Sequence, residues 1–368
     1  MEERLQFSAS QNQAFGTHMP GTQVSGTQIQ EDPYAKLFTG KTILITGGTG
    51  FLGRELTRRL IKYDVQSIRL FSRDEVKHFH TSQKFNKNPK LRHLIGDVRD
   101  YNRLRKALRG VDIVIHAAAL KRIDIIEYNV EESIRTNVMG SLNVARAAWD
   151  EGVAKALFVS TDKACSPVNT YGACKFIGER IFTEWNYSRG SVPTIFSSVR
   201  YGNVLDSTGS VIPCFSKRLK EGKEITLTDD KMTRFIITPD EAVDLIFDAL
   251  LHAIGGEVFI PKLPAFNIVD LIEVLKKHYN ASVPVSNIGI RPGEKIHEIL
   301  TNDCEGRRAY HFGNYVVIKS DIEKHKQSET FSYLDGAQKI DWDEMSSKDF
   351  VVSQEKLYDI LISNNLLK

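Results

Sequence analysis

The sequence predicts an α/β fold in which a doubly wound parallel sheet carries a smaller C-terminal lobe. Three observations predict it. Short apolar runs alternate with helix-length segments from Lys41 onward, the first run leads into a glycine-rich turn, and later runs end in small or polar residues. Open parallel sheets bind their ligands at such strand ends. At 368 residues the chain has room for one large α/β domain with an appended lobe.

Met1 to about Pro33 is rich in Gln, Ser, Thr and Gly and has no apolar period, so residues 1–38 are expected to form a flexible arm. A core at 39–200 follows. Its expected strands are Thr42–Ile45, Ser67–Phe71, Leu91–Ile95, Ile113–Ile115, Ala156–Ser160 and Ile195–Val199. Alternation of such strands with helices implies right-handed βαβ units. Beyond Tyr201 the pattern loosens into a Pro- and Gly-punctuated stretch with helices at Asp240–Ala253 and Ile268–His278. This stretch, 201–318, reads as a lobe interleaved with the core that closes over a ligand. The remainder, 319–368, is a C-terminal extension with one helix near Val352–Ile362. No internal repeat is present.

Composition narrows the function. Hydrophobic residues make up 41% and charged residues 26%, with a net charge of only +3, so nothing in the balance calls for nucleic acid or a membrane. Cys165, Cys174, Cys214 and Cys304 lack the spacing of a zinc or redox pair, and no metal site is expected. No apolar run approaches the roughly 20 residues of a membrane span, and the N-terminus lacks the apolar centre of a secretory leader. A cytoplasmic protein is the expectation.

The glycine turn Thr46-Gly47-Gly48-Thr49-Gly50-Phe51-Leu52-Gly53 follows the first strand and opens a helix, with Gly47, Gly50 and Gly53 in GxxGxxG spacing. Glycine lets backbone N–H groups approach a pyrophosphate at a helix N-terminus, which is the Rossmann arrangement. Sites for NAD place an acid about 20 residues further on, against the ribose 2′-hydroxyl. Here the second strand ends Leu70-Phe71-Ser72-Arg73. Ser72 and Arg73 suit a 2′-phosphate, and NADP is the cofactor expected. Asp97 and Val98 end the third strand, where a carboxylate can accept from the adenine amino group. Ala117, Ala118 and Ala119 leave room after the fourth, and His116 before them is either a contact or a packed core residue.

The chemistry gathers at the fifth strand, which ends Ser160-Thr161-Asp162-Lys163. Tyr171 and Lys175 then share one face of the next helix at i and i+4. A lysine ammonium and a positive nicotinamide ring favour the phenolate of Tyr171, making it a base for a hydroxyl proton.

These residues carry a resemblance. The chain resembles the extended short-chain dehydrogenase/reductase superfamily and, within it, the UDP-N-acetylglucosamine 4,6-dehydratases that invert carbon 5. Besides the glycine turn, the matching motifs are Ser160-Thr161-Asp162-Lys163-Ala164, Asn169-Thr170-Tyr171-Gly172-Ala173-Cys174-Lys175, Arg200-Tyr201-Gly202-Asn203-Val204, Met232-Thr233-Arg234-Phe235 and Gly289-Ile290-Arg291-Pro292-Gly293-Glu294-Lys295. The resemblance runs from about Lys41 to Tyr315. It implies oxidation of the sugar at C4, elimination of water across C5 and C6, and return of hydride to C6, giving a 4-keto-6-deoxy sugar of L-arabino configuration. Thr161, Tyr171 and Lys175 would serve the oxidation, with Asp162 as acid for the departing water and Lys163 as base at C5. A lysine base must be neutral, so a pKa lowered by burial or nearby positive charge is expected. Asn203, Arg234 and Arg291 would hold the diphosphate, Glu294 the uridine ribose, and Lys121 the sugar or diphosphate. Relatives of this kind assemble as dimers through helices beginning near Ile125 and Tyr171, or as hexamers, and feed surface sugars such as pseudaminic acid. A nucleotide-sugar 4-epimerase on the same frame, and a non-catalytic NADP sensor, are the rival readings.

Overall fold

The computed structural model describes residues 32–206, 211–320, 322 and 331–367. Most of the expected N-terminal arm therefore lies outside the described residues. Order begins earlier than Lys41: a short helix spans Pro33–Phe38. Phe38 is fully buried with its ring 4.6 Å from that of Phe247, which explains why the ordered chain reaches into the polar segment.

Six parallel strands follow: β1 Thr42–Thr46, β2 Ser67–Ser72, β3 Leu91–Ile95, β4 Ile113–His116, β5 Lys155–Val159 and β6 Ile195–Val199. They lie in the order β3-β2-β1-β4-β5-β6. Every residue of β1 is buried, as a central strand covered by helices on both faces requires. The order reverses beside β1, which opens a crevice above the ends of β1 and β4.

The sheet then extends with later segments. Val258–Pro261 adds parallel to β6, and the hairpin Ala309–Phe312 and Tyr315–Ile318 closes that edge antiparallel. Lobe and core thus share one sheet. Helix Pro239–His252 starts on a capping box between Thr238 and Glu241 with proline in its first turn. Helix Ile268–Tyr279 starts on Asn267 and ends on left-handed Asn280. The C-terminal helix runs Gln354–Ser363 and buries Leu357 and Leu361 beside Leu271 and Leu275.

Helix Thr170–Ser188 lies close over β5. A Cβ added at Gly178 would sit 2.3 Å from the Phe158 ring, so only glycine allows this separation. Phe182 of this helix meets Phe158 tilted and Phe196 edge-on, forming one aromatic group between helix and sheet. Among the described residues no helix is long and apolar enough to cross a membrane, and no group of His, Cys, Asp or Glu side chains is placed to hold a metal.

Candidate active site

A cleft of about 1110 Å³ opens over the carboxyl ends of the strands. That is at the upper end of the range for small-molecule and cofactor pockets, roughly 300–1,000 Å³. Gly47, Thr49, Gly50, Phe51, Leu52 and Gly53 line one end. Gly47 has φ of +67°, and a Cβ there would meet the Ala118 backbone at 3.0 Å. Helix Phe51–Leu60 begins at Gly50 without any side-chain cap, which leaves its first N–H groups to a ligand anion.

Ser72 and Arg73 border the same end. The Ser72 hydroxyl lies 2.8 Å from Thr49 Oγ1 and 2.9 Å from His78 Nε2, while Arg73 stays half exposed. The first carboxylate after β2, Asp74, caps the next helix by accepting from the Lys77 backbone N–H at 3.0 Å. Asp97 also lines the cleft; burial pushes its carboxyl up, but the Arg99 hydrogen bonds outweigh that and hold it below its ordinary value. Val98, Ala117, Ala118 and Ala119 complete the wall. His116 resolves as a packed core histidine. It is fully buried between Thr46 Oγ1 at 2.7 Å and Ser141 Oγ at 3.0 Å, and burial lowers its pKa to about 3.

At the middle of the cleft β5 ends and a tight turn, Asp162–Ala164, begins. Asn169 caps helix Thr170–Ser188 by accepting from the Gly172 N–H at 2.7 Å. This puts Thr161, Lys163, Tyr171 and Lys175 on the cleft wall. The Lys175 ammonium donates to the Val159 carbonyl at 2.7 Å and lies 4.5 Å from the Phe158 ring centre; burial lowers its pKa to about 8. The expected lowering of Tyr171 by Lys175 is not what the geometry delivers. Burial pushes the phenol up to about 12, and the charge that opposes it is Lys163.

Lys163 needs a second correction. Its ammonium sits 3.0 Å from Asp162 Oδ1 and 3.2 Å from Glu298 Oε1. Burial alone would lower its pKa, but the two carboxylates win and raise it above the ordinary lysine value. The two carboxylates thus favour the charged form, opposite in direction to the lowering expected of a base. Asp162 is wholly buried and accepts from Thr161 Oγ1 at 2.9 Å; burial raises its pKa, as an acid catalyst requires. Its chain neighbours Thr161 and Lys163 line the cleft on either side of it.

Asn203, Arg291, Glu294 and Lys121 line the far end. Asn137 pins the Lys121 loop by bonding both backbone groups of Leu120, at 2.8 and 2.9 Å. Arg234 does not line the cleft. Its guanidinium turns inward and donates to the carbonyls of Thr233, Ile296 and Lys295 at 2.8, 2.9 and 3.0 Å. There it holds the segment that carries Glu298.

Two residues absent from the sequence reading belong to this region. Glu298 is one. The other is Ser347 of the C-terminal extension, whose hydroxyl accepts from the Glu298 N–H at 2.9 Å and whose own N–H donates to the Glu298 carbonyl at 2.8 Å. A lysine placed after an aspartate, and needing a counter-charge when buried, is the signal that points to a second carboxylate. Below the site Arg200 lies between Glu179 and Glu305, held by Nη2 at 2.6 and 2.8 Å.

Comparison with known proteins places the chain. The curated relative from Campylobacter jejuni named UDP-N-acetylglucosamine 4,6-dehydratase (inverting) is 44% identical over 298 residues, covering 80% of this chain and 88% of its own length. A Rickettsia bellii protein named UDP-glucose 4-epimerase is 40% identical over 308 residues, covering 83% and 89%. The crystal structure of Pen from Bacillus thuringiensis superposes with a TM-score of 0.84 at 36% identity, covering 90% of this chain and 99% of its own. The description "Polysaccharide biosynthesis protein" matches residues 43–320, and the chain belongs to that family.

Proposed function

We propose that this protein is a UDP-N-acetylglucosamine 4,6-dehydratase working with bound NADP. The observation that carries the reading is the acid–base pair Asp162–Lys163, 3.0 Å apart, whose lysine lines one cleft together with Tyr171, the glycine turn, Asn203 and Arg291. When bound, the nicotinamide supplies an acceptor and later a donor of hydride. Tyr171 takes the C4 hydroxyl proton, and Thr161 and Lys175 hold the surroundings of that phenol. A ketone at C4 acidifies the C5 hydrogen, so Lys163 can remove it while Asp162 protonates the departing C6 hydroxyl.

NADP rather than NAD is supported by the donors at the ribose end. Ser72, Arg73 and Lys77 border it, and Asp74 is occupied as a helix cap. The Campylobacter relatives support inversion at C5. Arg291 and Asn203 at the far end suit a diphosphate, and Glu294 and Lys121 suit ribose and sugar. A self-associating face is supported by Ile125, Ile134 and Ile177, exposed on helices flanking the site, and by exposed Tyr128 in the turn after Ile126. A cytoplasmic setting, where nucleotide sugars are made, fits the four unpaired cysteines.

The test is proton NMR of the NADP-loaded protein with UDP-N-acetylglucosamine in deuterated buffer. The expected outcome is a new C6 methyl signal, a 4-keto product and deuterium at C5. A 4-epimer that keeps its C6 hydroxyl would replace this reading with the epimerase named for the Rickettsia relatives.

A further inference from the structure

The base of the proposed reaction is charged where it stands. Lys163 reaches the cleft with 19% of its side chain exposed, and the atoms behind it are two buried carboxylates. Asp162 Oδ2 and Glu298 Oε2 are both buried without a hydrogen-bond partner among the described residues. A buried carboxylate oxygen left bare is costly as an anion and relieved by a proton. The cluster therefore has somewhere to put the proton that Lys163 must lose.

We propose that Glu298 is a positioning residue that makes Lys163 a base by receiving its ammonium proton. The proposal rests on the dehydratase reading. In the step, one Lys163 N–H bond breaks and a Glu298 O–H bond forms, a transfer across the 3.2 Å contact. The neutral amine then takes the C5 hydrogen as a proton, and the electron pair of that C–H bond becomes the C5–C6 π bond. The C6–O bond breaks with its electrons on oxygen, and Asp162 supplies the proton that completes water. Once C6 has regained its hydride, C5 takes back one proton, which leaves Lys163 and Glu298 sharing the single proton they began with. The proton freed from the C4 hydroxyl at Tyr171 equals the one Asp162 gives to water, so the turnover balances with no outside acid or oxidant.

The surroundings favour this assignment. The turn Asp162–Ala164 presents Asp162 and Lys163, the helix beginning at Thr170 presents Tyr171, and the strand Thr233–Ile237 presents Arg234, whose Nε is 3.8 Å from Glu298 Oε1. Lys295 adds positive charge from the same segment as Glu298. Burial pushes the Glu298 carboxyl up, but Lys163, Arg234 and Lys295 outweigh it, so Glu298 is charged at rest and hands back readily any proton it takes, while Ser347 clamps its backbone on both sides. Glu298 does not line the cleft, and of the groups its carboxylate pairs with, Lys163 is the one that does.

The experiment compares wild type, Glu298→Gln and Glu298→Asp, each loaded with NADP. C4 oxidation is followed by the absorbance of reduced nicotinamide, and dehydration by the C6 methyl and C5 deuterium signals. In wild type the proton moves inside the cluster, so dehydration is flat with pH through neutrality. In Glu298→Gln it must leave to solvent. Dehydration is expected to fall about a hundredfold while C4 oxidation stays within about threefold, the scale of one acid–base group. The residual rate should climb about tenfold per pH unit, and Glu298→Asp should recover a measurable part. Equal loss of both half-reactions without a pH slope, or undiminished dehydration in Glu298→Gln, overturns the proposal. Should that variant not fold, the wild-type profile decides: a tenfold rise per pH unit in wild type also overturns it. Absence of any methyl product from wild type sinks the dehydratase reading itself, and the proposal with it.

Discussion

Arg200 and Lys163 are each buried between two carboxylates, and the two clusters differ in how completely they are closed. Around Arg200 all five N–H donors are taken: Nε and Nη2 by Glu179, Nη1 and Nη2 by Glu305, and Nη1 also by the Leu300 carbonyl at 2.7 Å. Glu305 accepts further from Cys165 Sγ. Burial pushes Glu305 up, but Arg200 outweighs it and holds the carboxyl at about 2. Around Lys163 two carboxylate oxygens have no hydrogen-bond partner among the described residues. A filled network of this kind joins helix Thr170–Ser188, the end of β6 and the segment after Leu300 into one frame. An unfilled one stores proton capacity beside a cleft. Identical ingredients serve structure in one case and chemistry in the other, and the bare oxygens tell them apart.

The largest test of that contrast is Asp162→Asn. Dehydration should fall by about three orders of magnitude, within the range of a lost acid catalyst, while the nicotinamide cofactor stays bound and the unfolding midpoint barely moves. The NMR assay and a thermal melt check both halves. Next comes Arg200→Met, which strands two carboxylates in the closed cluster. It should cost about 3–5 kcal/mol of stability, read by urea unfolding, and a stable variant would break the comparison.

Acid should act on the closed cluster in a fixed direction. Glu305 has an ordinary value of 4.5 and is held at about 2 in the fold. A depressed carboxyl contributes stability that is complete above pH 4.5 and lost as pH falls through 4.5 toward 2. The amount is about 3 kcal/mol, and Glu305→Gln should remove that part of the acid dependence. A smaller effect is expected from Gly172→Ala, whose Cβ would sit 2.1 Å from the Lys163 carbonyl oxygen. Overpacking of this order costs about 1–3 kcal/mol. Because it shifts Lys163, dehydration should drop more than C4 oxidation. Ser347→Ala is the mildest: it loses the clamp on Glu298, about 1 kcal/mol, and lowers the dehydration rate a few-fold.

Much of the fold was legible because period and punctuation agree. The strands expected at Leu91–Ile95 and Ile195–Val199 have those limits in the structure, and the helices near Asp240 and Ile268 lie within a residue of their expected ends. Short apolar runs between turns leave little freedom there. The cleft wall was legible too, since glycine spacing and the Tyr171–Lys175 repeat describe local geometry. Three things were not. The direction of the Arg234 side chain depends on which strand pairs beside it, and Thr233–Ile237 pairs with the distant Ala265–Asn267. The partnership of Lys163 with Glu298 joins segments far apart in sequence, and no local pattern encodes such a contact. Ser347 lies in a tail with no motif, reaching the site only because Met345–Ser346 pairs with Ile299–Thr301.

That last pairing sets an order of assembly. The glycine turn, the tyrosine and the lysine are all made in the first half of the chain, and a nascent protein can fold its dinucleotide groove before the ribosome has finished. The carboxylate behind Lys163 is clamped only when residues 345–347 arrive and dock. A chain cut short before Met345 would still hold its nicotinamide cofactor, yet it would lack the seat for the lysine proposed as base, and so would occupy that cofactor without turning over sugar.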